Sequence, residues 1–537
     1  MLRKHQLLIT VIAVVLTLGL LLSGCGNSGT TQQSEMKMSW NPGPEPSTLD
    51  PQMSNGTSEA IMELNLFEGL MRLDKNNIPQ NAIAENIFVS QDGLVYTIKM
   101  KDTRWSNGDP VTADDFKAAW LHALDPEAAA EYAYQLYYIK NGEAYNNKTA
   151  QAEDVGIRVV DSRTLEVSLE SPTPYFKSLL TLPVYFPVNK KVAESNNGWN
   201  LNAETFISNG PYEMQSWSHN DKMVLVRNPN YWDAQAVKIT ELTFYLVEDG
   251  KAALTAFEAG QLDGTNNNIL GSDIERLRQA GLLKSGPYLG NYYYVFNVNK
   301  KPLDDSRVRQ ALTMAIDRKS LIDNVLKGGQ TPAFAIVPDG IPDYESGKTF
   351  RQVGGDYFQE DVAKARQLLS DAGYPEGKNF PVLSILYNTS VSHQLLAQAI
   401  QDMWSKNLGI KVNLVSQEWQ VFLDTVQNGQ FDIARSGWTG DYVDPMTFLD
   451  IFTAESGNNQ PSWSNAEYDA ALAKAKETGN QKIRMQAMHD AEKILMTEMP
   501  VMPIYFDVNN YLIKDNIKNV NFTPVGLIDF KNAAVGK

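Results

Sequence analysis

The cysteine content sets the strongest constraint on how this chain folds, because Cys25 is the only cysteine among 537 residues. A chain with one cysteine cannot form an internal disulfide, so packing and hydrogen bonding must hold its core together. The roughly 500 residues that follow the N-terminal region are enough for two or three domains. The sequence therefore predicts a large protein that is stabilised by burial of apolar surface.

The first 24 residues have the pattern of a secretory signal peptide. Two basic residues, Arg3 and Lys4, precede an apolar run at 7–22, which is short for a spanning helix of about 20 residues. The run ends in Leu22-Ser23-Gly24-Cys25, which resembles the lipobox of bacterial lipoproteins. This resemblance implies cleavage before Cys25 and acylation of its thiol, with palmitate among the chains. Residues 25–37 then form a polar tether to the extracytoplasmic face of the membrane. The alternative is a signal anchor with an incidental cysteine.

The charge balance argues against two classes of partner. With 47 Lys and Arg against 63 Asp and Glu, the net charge is −16. A negative surface disfavours nucleic acid and anionic membranes. No second long apolar run follows Leu22, so the sequence does not predict a transmembrane pore.

Short β-rich runs alternate with helical periods along the chain. A capping-box start at Thr112, with Asp115 three residues on, predicts one helix, and apolar spacing predicts another over Arg307–Asn324. Period-two alternation predicts strands at Val95–Met100, Thr164–Leu169, Leu242–Val247, Tyr292–Val298, Val382–Leu386, Lys411–Val415 and Met502–Asp507. This mixture predicts an α/β architecture with more than one sheet.

From about Leu49 to Asp529 the chain resembles a known family. The landmarks, in order, are Leu49-Asp50-Pro51, Phe67-Glu68-Gly69-Leu70, Trp105-Ser106-Asn107-Gly108, Val111-Thr112-Ala113-Asp114-Asp115-Phe116, Ser208-Asn209-Gly210-Pro211-Tyr212, Arg227-Asn228-Pro229-Asn230-Tyr231-Trp232 and Val308-Arg309-Gln310-Ala311-Leu312. Together they resemble the oligopeptide-binding proteins of ABC importers, within the dipeptide, nickel and oligopeptide cluster of solute-binding proteins.

The resemblance implies a two-lobed fold of the periplasmic-binding-protein-like type II class, with an extra inserted domain and hinge closure around the ligand. On this sequence, residues 70–190 are the extra domain and residues 290–506 are lobe II. Lobe I combines residues 38–69, 191–289 and 507–537.

The resemblance also implies a function. The protein is expected to capture oligopeptides outside the cytoplasm, largely independently of sequence, and to deliver them to the permease and ATPase subunits of an importer. It is expected to be a monomer without cofactor or metal, lipid-anchored on the membrane of a Gram-positive bacterium. Binding peptides of many sequences requires contacts to the shared termini and main chain, with wet pockets for side chains.

The segment 434–442 resembles the ligand-binding loop of the family. By that match, Asp441 pairs with the peptide ammonium. A carboxylate suits this role because it can form a charge-assisted hydrogen bond with an ammonium group. Gly437 and Thr439 offer main-chain groups to the peptide, and Trp438 forms a wall of a side-chain pocket. Without the family, Asp441 in a glycine-flanked turn reads as an ordinary turn aspartate.

Further positions carry family roles by the same match. Asn55, Gly56 and Thr57 pair with the other side of the peptide. Tyr132 and Trp419 line the ligand cleft. The cations Arg435 and His393 meet the C-termini of short peptides, although a lone histidine is more often structural.

The chain departs from the family in two places. Some members carry cysteines where this chain has Gly290 and Thr439, so that disulfide is absent here. Asp507 replaces a tyrosine near the first side-chain pocket, where a carboxylate favours basic or small residues or marks a reorganised site.

Two alternatives remain at the level of sequence. The same fold can bind a narrower cargo, such as a dipeptide, a cell-wall peptide or a signalling peptide, and other relatives bind nickel chelates or haem. A lipid-anchored peptidase is more remote, because the sequence contains neither Gly-x-Ser-x-Gly nor His-Glu-x-x-His. The remaining histidines show no metal-ligand spacing.

Overall fold

The structure is a computed structural model that describes residues 36–536, apart from residues 55, 76, 267, 268 and 270. The predicted signal peptide, the lipidation site Cys25 and the site residue Asn55 therefore lie outside the described residues, as does nearly all of the predicted tether. Residues from Lys37 onward form one compact unit. Within the described part, no helix combines the length and apolar character that crossing a membrane requires.

The first part of the chain contains seven strands and five helices. They are β1 (Lys37–Gly43), α1 (Thr57–Leu66), β2 (Met71–Leu73), β3 (Pro79–Asn81), β4 (Ala84–Val89), β5 (Val95–Met100), α2 (Ala113–Leu124), α3 (Gly142–Asn146), β6 (Ile157–Asp161), β7 (Thr164–Ser168), α4 (Phe176–Leu179) and α5 (Lys190–Ser195). The middle part then contributes β8 (Tyr212–Ser218), β9 (Lys222–Arg227), β10 (Glu241–Leu246), α6 (Gly250–Glu258), β11 (Gly264–Thr265), α7 (Gly271–Gln279) and β12 (Leu283–Phe296).

The later part is richer in helix. It contains α8 (Ser306–Met314), α9 (Arg318–Ser320), β13 (Thr331–Pro332), α10 (Phe350–Gly354), α11 (Val362–Asp371), β14 (Leu383–Asn388), α12 (Val391–Leu408), β15 (Val412–Gln417), α13 (Trp419–Gln427), β16 (Ile433–Thr439), α14 (Met446–Leu449), α15 (Ala466–Lys476) and α16 (Gln481–Glu498). The chain ends with β17 (Val501–Ile513), β18 (Ile517–Lys518), β19 (Asn521–Phe522), β20 (Ile528–Asp529) and β21 (Ala534–Val535).

Most strands join one mixed sheet of eleven strands, ordered β15-β14-β16-β12-β17-β11-β1-β10-β9-β8, with β13 paired to β17. The long strands β12 and β17 run antiparallel through its middle. Residues 283–287 of β12 pair with residues 508–512, and residues 291–295 pair with residues 501–506, with a register shift between the two stretches. The sheet therefore has a first wing (β11, β1, β10, β9, β8) and a second wing (β16, β14, β15), which are joined through β12 and β17.

A separate antiparallel sheet of four strands, ordered β4-β5-β7-β6, lies in the region of the predicted extra domain. Helix α2 contacts it through β6. The predicted capping box begins this helix, because the Thr112 backbone N–H donates to Oδ2 of Asp115 at 2.8 Å. The structure thus contains more than one sheet, with helices between the strands, and the predicted α/β class is confirmed.

The second wing carries a large apolar core between its sheet and helices α8 and α12. Its members include the fully buried Leu312, Ile385, Trp404, Ile433 and Ile504. Each buried side chain of this size contributes about 1.5–3 kcal/mol through its removal from water. This core fixes the strand β16, whose far end reaches the functional site.

The predicted helix Arg307–Asn324 is wrong in its extent. Helix α8 ends at Met314, and the chain restarts as α9 and a π turn at Leu321–Leu326. Side chains from α12 take the carbonyl groups that a continuous helix needs. Trp404 donates to the Leu312 carbonyl at 2.8 Å, and Asn407 donates to the Ala315 carbonyl at 2.9 Å. Tertiary contacts thus override the local helical pattern.

Candidate functional site

A cavity of about 380 Å³ lies where the end of β16 meets α1 and the segments around residues 132 and 183. Six of the predicted site residues line it: Gly56, Thr57, Tyr132, Trp438, Thr439 and Asp441. Apolar side chains, among them Ala60, Leu182, Val184, Val525 and Leu527, supply much of the remaining wall. A mostly apolar cavity with a few converging polar groups is the usual form of a ligand site.

Among the described residues that line this cavity, Asp441 is the only one with a carboxylate. Burial raises the pKa of Asp441 to about 6, and a hydrogen bond from Gln135 opposes that rise. Among the described residues, no salt bridge joins Asp441 to a lysine, arginine or histidine. A partly buried carboxylate without a counter-ion costs free energy, which a bound cation repays.

The loop that carries Asp441 is held in place from behind. The Asp441 backbone N–H donates to Oγ1 of Thr447 at 3.2 Å, and so does the Trp438 indole N–H at 3.2 Å. Three residues further along, both oxygens of the buried Asp444 accept hydrogen bonds from Arg484. These contacts position the carboxylate before any ligand arrives.

Strand β16 has a free edge beside the cavity. Its residues 433–439 pair with β12, whereas only residues 433–434 pair with β14 on the other side. The Gly440 N–H donates to the Leu289 carbonyl at 2.7 Å. Because hydrogen bonding alternates along an antiparallel pair, the main-chain groups of Gly437 and Thr439 point away from β12. They are available to an added strand, as the sequence predicted, and the role remains a prediction.

The opposite wall is formed by the start of α1. Gly56 has an extended backbone and caps this helix, and Thr57 is its first residue. Tyr132 lies nearby with its ring 5.6 Å from that of Tyr134. Burial raises the pKa of Tyr132, and the negative charge of Asp441 raises it further. The two tyrosine rings therefore lie beside the carboxylate.

A cationic cluster lies further back along β16, outside the wall of the cavity. Arg435 donates through Nη2 to Nε2 of His393 at 3.1 Å, which places the histidine proton on Nδ1, 3.2 Å from the Tyr292 hydroxyl. Burial and the charge of Arg435 lower the pKa of His393 to about 4. The histidine is therefore neutral, and the arginine carries the charge of the cluster.

Aromatic rings surround Arg435. Its guanidinium carbon lies 5.6 Å from the Tyr292 ring centroid, 5.8 Å from that of Trp419 and 6.0 Å from that of Phe422. No salt bridge joins Arg435 to a carboxylate in the part of the chain that the structure describes, and its buried Nε has no hydrogen-bond partner. This arrangement leaves a cation that can accept a carboxylate ligand.

Asp507 lies on β17, two strands from β16. A Cβ atom built on Gly290 would lie 3.3 Å from Cβ of Asp507, and Gly290 is the pairing partner of Thr439. Burial raises the pKa of Asp507 to about 6, and a hydrogen bond from Gln330 opposes that rise. Asp507 is absent from the wall of the cavity, but it lies close behind it.

Several polar residues of the site were not predicted from the sequence, including Ser54 and Tyr134, and two others make specific contacts. Tyr288 lines the cavity and its hydroxyl lies 3.2 Å from Oγ1 of Thr439. Gln135 hydrogen-bonds the Asp441 carboxylate from a different part of the chain. Neither residue stands in a recognisable motif, and each reaches the site only because distant segments pack together.

Comparisons with known proteins cover nearly the whole chain. A family model described as bacterial extracellular solute-binding proteins, family 5 Middle, matches residues 79–460. The oligopeptide-binding protein OppA of Bacillus subtilis is 36% identical over 542 residues, which is 98% of each chain. The dipeptide-binding protein DppE of the same organism is 37% identical over 497 residues, covering 91% of this chain and 90% of DppE.

Solved structures share the fold as well. The periplasmic murein tripeptide-binding protein MppA, in its unliganded open form, matches with a TM-score of 0.81 at 33% identity. The match covers 94% of this chain and 98% of MppA. The likeness therefore includes both wings of the large sheet and the separate four-stranded sheet.

Proposed function

Because this chain belongs to the bacterial extracellular solute-binding proteins of family 5, we propose that it captures oligopeptides and delivers them to an ABC importer. Its fold is two-lobed, and its relatives are transport receptors, not enzymes. The observation that carries the proposal is the unpaired Asp441 carboxylate beside the free edge of β16. An ammonium group and an extended main chain are the two features that every linear peptide offers to such a site.

The peptide main chain is proposed to lie between two walls. Gly437 and Thr439 offer main-chain groups from one side, and Gly56 and Thr57 line the other side. Strand addition of this kind gives affinity through the backbone, so side chains can vary. Asn55 is included in this proposal by its position next to Gly56.

Arg435 is proposed to bind the peptide carboxylate, with His393 orienting the guanidinium and Trp419 shielding it. The six residue steps from Arg435 to Asp441 correspond to at most about 20 Å at 3.3 Å per residue. That span suits peptides of roughly four to six residues, whose two charged ends then meet opposite charges. Longer peptides would lose the carboxylate contact and keep the ammonium contact.

The lobes are proposed to close by bending at the register shift of β12 and β17. The expected boundaries, 289/290 and 506/507, fall at this shift, and residues 70–190 form the extra domain. Two strands can bend together while the cores on either side stay rigid, which is how hinge closure sequesters a ligand. Peptide-dependent closure would present one shape to the permease.

The remaining features of the proposal concern the cell. The chain is proposed to act as a monomer on the extracytoplasmic face, anchored through lipid on Cys25, and to serve permease and ATPase subunits. The lipobox-like sequence 22–25 supports the anchor, and the Bacillus relatives are consistent with a Gram-positive source. Radiolabelled palmitate incorporated by the intact chain and lost in Cys25→Ser would support this part.

A narrower cargo is the second candidate, because DppE is named a dipeptide-binding protein. The distance between Asp441 and Arg435 favours longer peptides, since a dipeptide at Asp441 would leave Arg435 unpaired. Measured affinities for a series of two to six alanines would separate the two candidates. A maximum at two residues would favour the dipeptide.

Native mass spectrometry of protein purified without refolding tests the proposal most directly. Peptides of mixed sequence are expected to co-purify with the wild type and to be depleted in Asp441→Asn purified in parallel. A single non-peptide species bound to the wild type would overturn the proposal.

A further inference from the structure

Asp507 is a second carboxylate near the cleft that lacks a positive partner. Among the described residues no salt bridge joins it to a lysine, arginine or histidine. Its hydrogen-bond partner, Gln330, is neutral. A structural aspartate at such a depth is normally paired or bonded by several donors, so Asp507 has the surroundings of a group that awaits a ligand.

The side chain of Asp507 lies on the same face of the sheet as that of Thr439, which belongs to the edge proposed to bind the peptide. Gly290 pairs with Thr439 across β12 and β16. The near contact of 3.3 Å between Cβ of Asp507 and a Cβ placed on Gly290 puts the three positions side by side. Two interstrand spacings, about 10 Å, separate β17 from β16. A long side chain that starts above Thr439 spans that distance.

The groups around Asp507 are acceptors and aromatic faces. Oε1 of Gln330 is buried and has no donor. The Tyr288 ring packs on Gly290, within 2.7 Å of a Cβ placed there, and Tyr288 also lines the cavity. The ring of Tyr505 stacks on Tyr292, with the ring centroids 4.9 Å apart. Burial raises the pKa of Tyr505, and the charge of Asp507 raises it further. Acceptor oxygens beside aromatic rings favour a cation that carries several N–H donors.

The cation on the neighbouring strand β16 points elsewhere. Arg435 lies on the far side of the tyrosine pair, where it bonds His393 and lies over the rings of Trp419 and Phe422. Its charge lowers the pKa of Tyr292, whereas Asp507 raises it. The stacked tyrosines therefore lie between the Asp507 carboxylate and the cationic cluster at Arg435, and no salt bridge joins the two charges among the described residues.

We propose that Asp507 is a specificity-determining residue that selects peptides whose first residue carries a cationic side chain, lysine or arginine. The inference rests on the proposed function, because Asp441 must hold the ammonium for the first side chain to start above Thr439. The first residue would then present two positive groups, one to Asp441 and one to Asp507. A peptide with an uncharged first side chain would still bind through its ends and main chain.

The test compares two pentapeptides that differ at one group: arginine followed by four alanines, and citrulline followed by four alanines. Citrulline keeps the length and shape of arginine and removes its charge. Isothermal titration calorimetry at pH 7.5 would be run on the intact mature chain, on Asp507→Asn, and on Glu213→Gln. Glu213 is a matched control because it is a partly buried carboxyl on β8 whose pKa is also raised by burial.

The wild type and Glu213→Gln are expected to bind the arginine peptide about tenfold or more tighter than the citrulline peptide, the scale of a desolvated charge pair. Asp507→Asn is expected to bind both peptides within about twofold of each other and to keep its affinity for the citrulline peptide. When the arginine is moved to the fourth position of the peptide, Asp507→Asn should no longer change the affinity.

Two results would overturn the inference and leave the proposed function intact. One is equal binding of both peptides by the wild type, and the other is an arginine preference that Asp507→Asn retains. Failure of the wild type to bind either peptide would overturn the proposed function and this inference with it. Affinity for the citrulline peptide also shows that Asp507→Asn is folded.

Discussion

The residue that most defines this site is Asp441, a carboxylate that the fold holds in place with no salt bridge to a cation among the described residues. The free energy that its burial costs in the empty protein is returned when an ammonium group binds. The same logic applies to Arg435 at the other end of the proposed peptide. In the proposed complex, two opposite charges at a fixed distance would bind the two ends of a peptide and leave its sequence open.

Removing the charge of Asp441 tests its role at the ammonium. Asp441→Asn is expected to weaken binding of tetraalanine by at least about 2 kcal/mol, the scale for a broken buried charge pair. Calorimetry would measure the loss. Acetylating the peptide N-terminus should weaken binding to the wild type by a similar amount but have little further effect on the variant. An additional full loss in the variant would place the ammonium elsewhere.

The pH dependence of binding follows from the same group. Because burial raises the pKa of Asp441 to about 6 in the empty protein, protonation removes the negative charge below that pH. Peptide affinity is expected to be highest near pH 7 and to fall below pH 6, approaching tenfold per unit, whereas above about pH 7.7 the peptide ammonium itself loses its proton. Titrations from pH 7 to 4.5 would measure the acid side, with Asp441→Asn as the control whose affinity should change much less in this range.

The stability of the empty protein should move in the opposite direction to its affinity. The folded pKa of Asp441 lies above the unfolded value, so the folded state binds the proton more tightly. Its contribution to stability is therefore lost as the pH rises from about 4 to about 6. At pH 7.5, Asp441→Asn is expected to raise the free energy of unfolding by about 2 kcal/mol, after allowance for its partial exposure. Denaturant unfolding measures this, and a destabilised variant would contradict it.

Sequence reasoning found the charged residues of the site more readily than their partners. The family loop led to Asp441, and the expected association of His393 with Arg435 is present as a hydrogen bond. Gln135 and Tyr288 were missed because their roles depend on segments that are far apart in the chain. Such contacts leave no local pattern in a single sequence.

At the scale of elements, the free edge of β16 decides what the site can bind. Its pairing with β14 stops at residue 434, so the strand continues into the cleft with one edge open. An open edge is an aggregation risk that proteins normally cover. Here the start of α1 and the segments around residues 132 and 183 enclose the cavity beside it, and a short peptide can reach it more easily than another folded chain.

A cross-strand disulfide can be introduced next to this edge. Gly290 and Thr439 form a pair without mutual hydrogen bonds, in which side chains approach most closely. Gly290→Cys with Thr439→Cys, in a Cys25→Ser background, is expected to oxidise in air and to show no free thiol under denaturing conditions. The Tyr288 ring must rotate, because its Cε1 atom lies 2.6 Å from a Cβ on Gly290.

Thr439→Cys alone, in the same background, is the control and should titrate as one thiol. Two free thiols in the double variant would contradict the strand register described above. Replacing Tyr288 with alanine in the double variant removes the predicted clash, so it should speed oxidation.

The elements themselves were predicted with uneven success, for physical reasons. Strand Val95–Met100 and the capping box at Thr112 have local signals, and both are confirmed. The predicted strand Met502–Asp507 is only half of β17, because apolar and polar residues alternate poorly over 508–513. These residues gain their partners from the first part of β12 and from β11. The helix from Arg307 was predicted too long because α12 captures its carbonyl groups.

At the scale of the whole molecule, the net charge of −16 adds a long-range term to binding. It attracts cationic peptides during their approach and is screened by salt. The association rate of the arginine pentapeptide is expected to fall by about threefold to tenfold between 10 and 150 mM salt, and that of the citrulline pentapeptide to fall less. Stopped-flow measurements would show this, and equal slopes would contradict it.

The crossing strands also set the order in which the molecule can be completed during synthesis. The first wing begins at Lys37, yet it needs β17, and Asn65 on α1 bonds both the carbonyl of Ile528 and the N–H of Phe530 at 2.9 Å. The second wing is built almost wholly from the chain between β12 and β17. Growing from the ribosome, the nascent chain can assemble that wing first, while the earlier half waits for the last residues before its own sheet and helix α1 are complete.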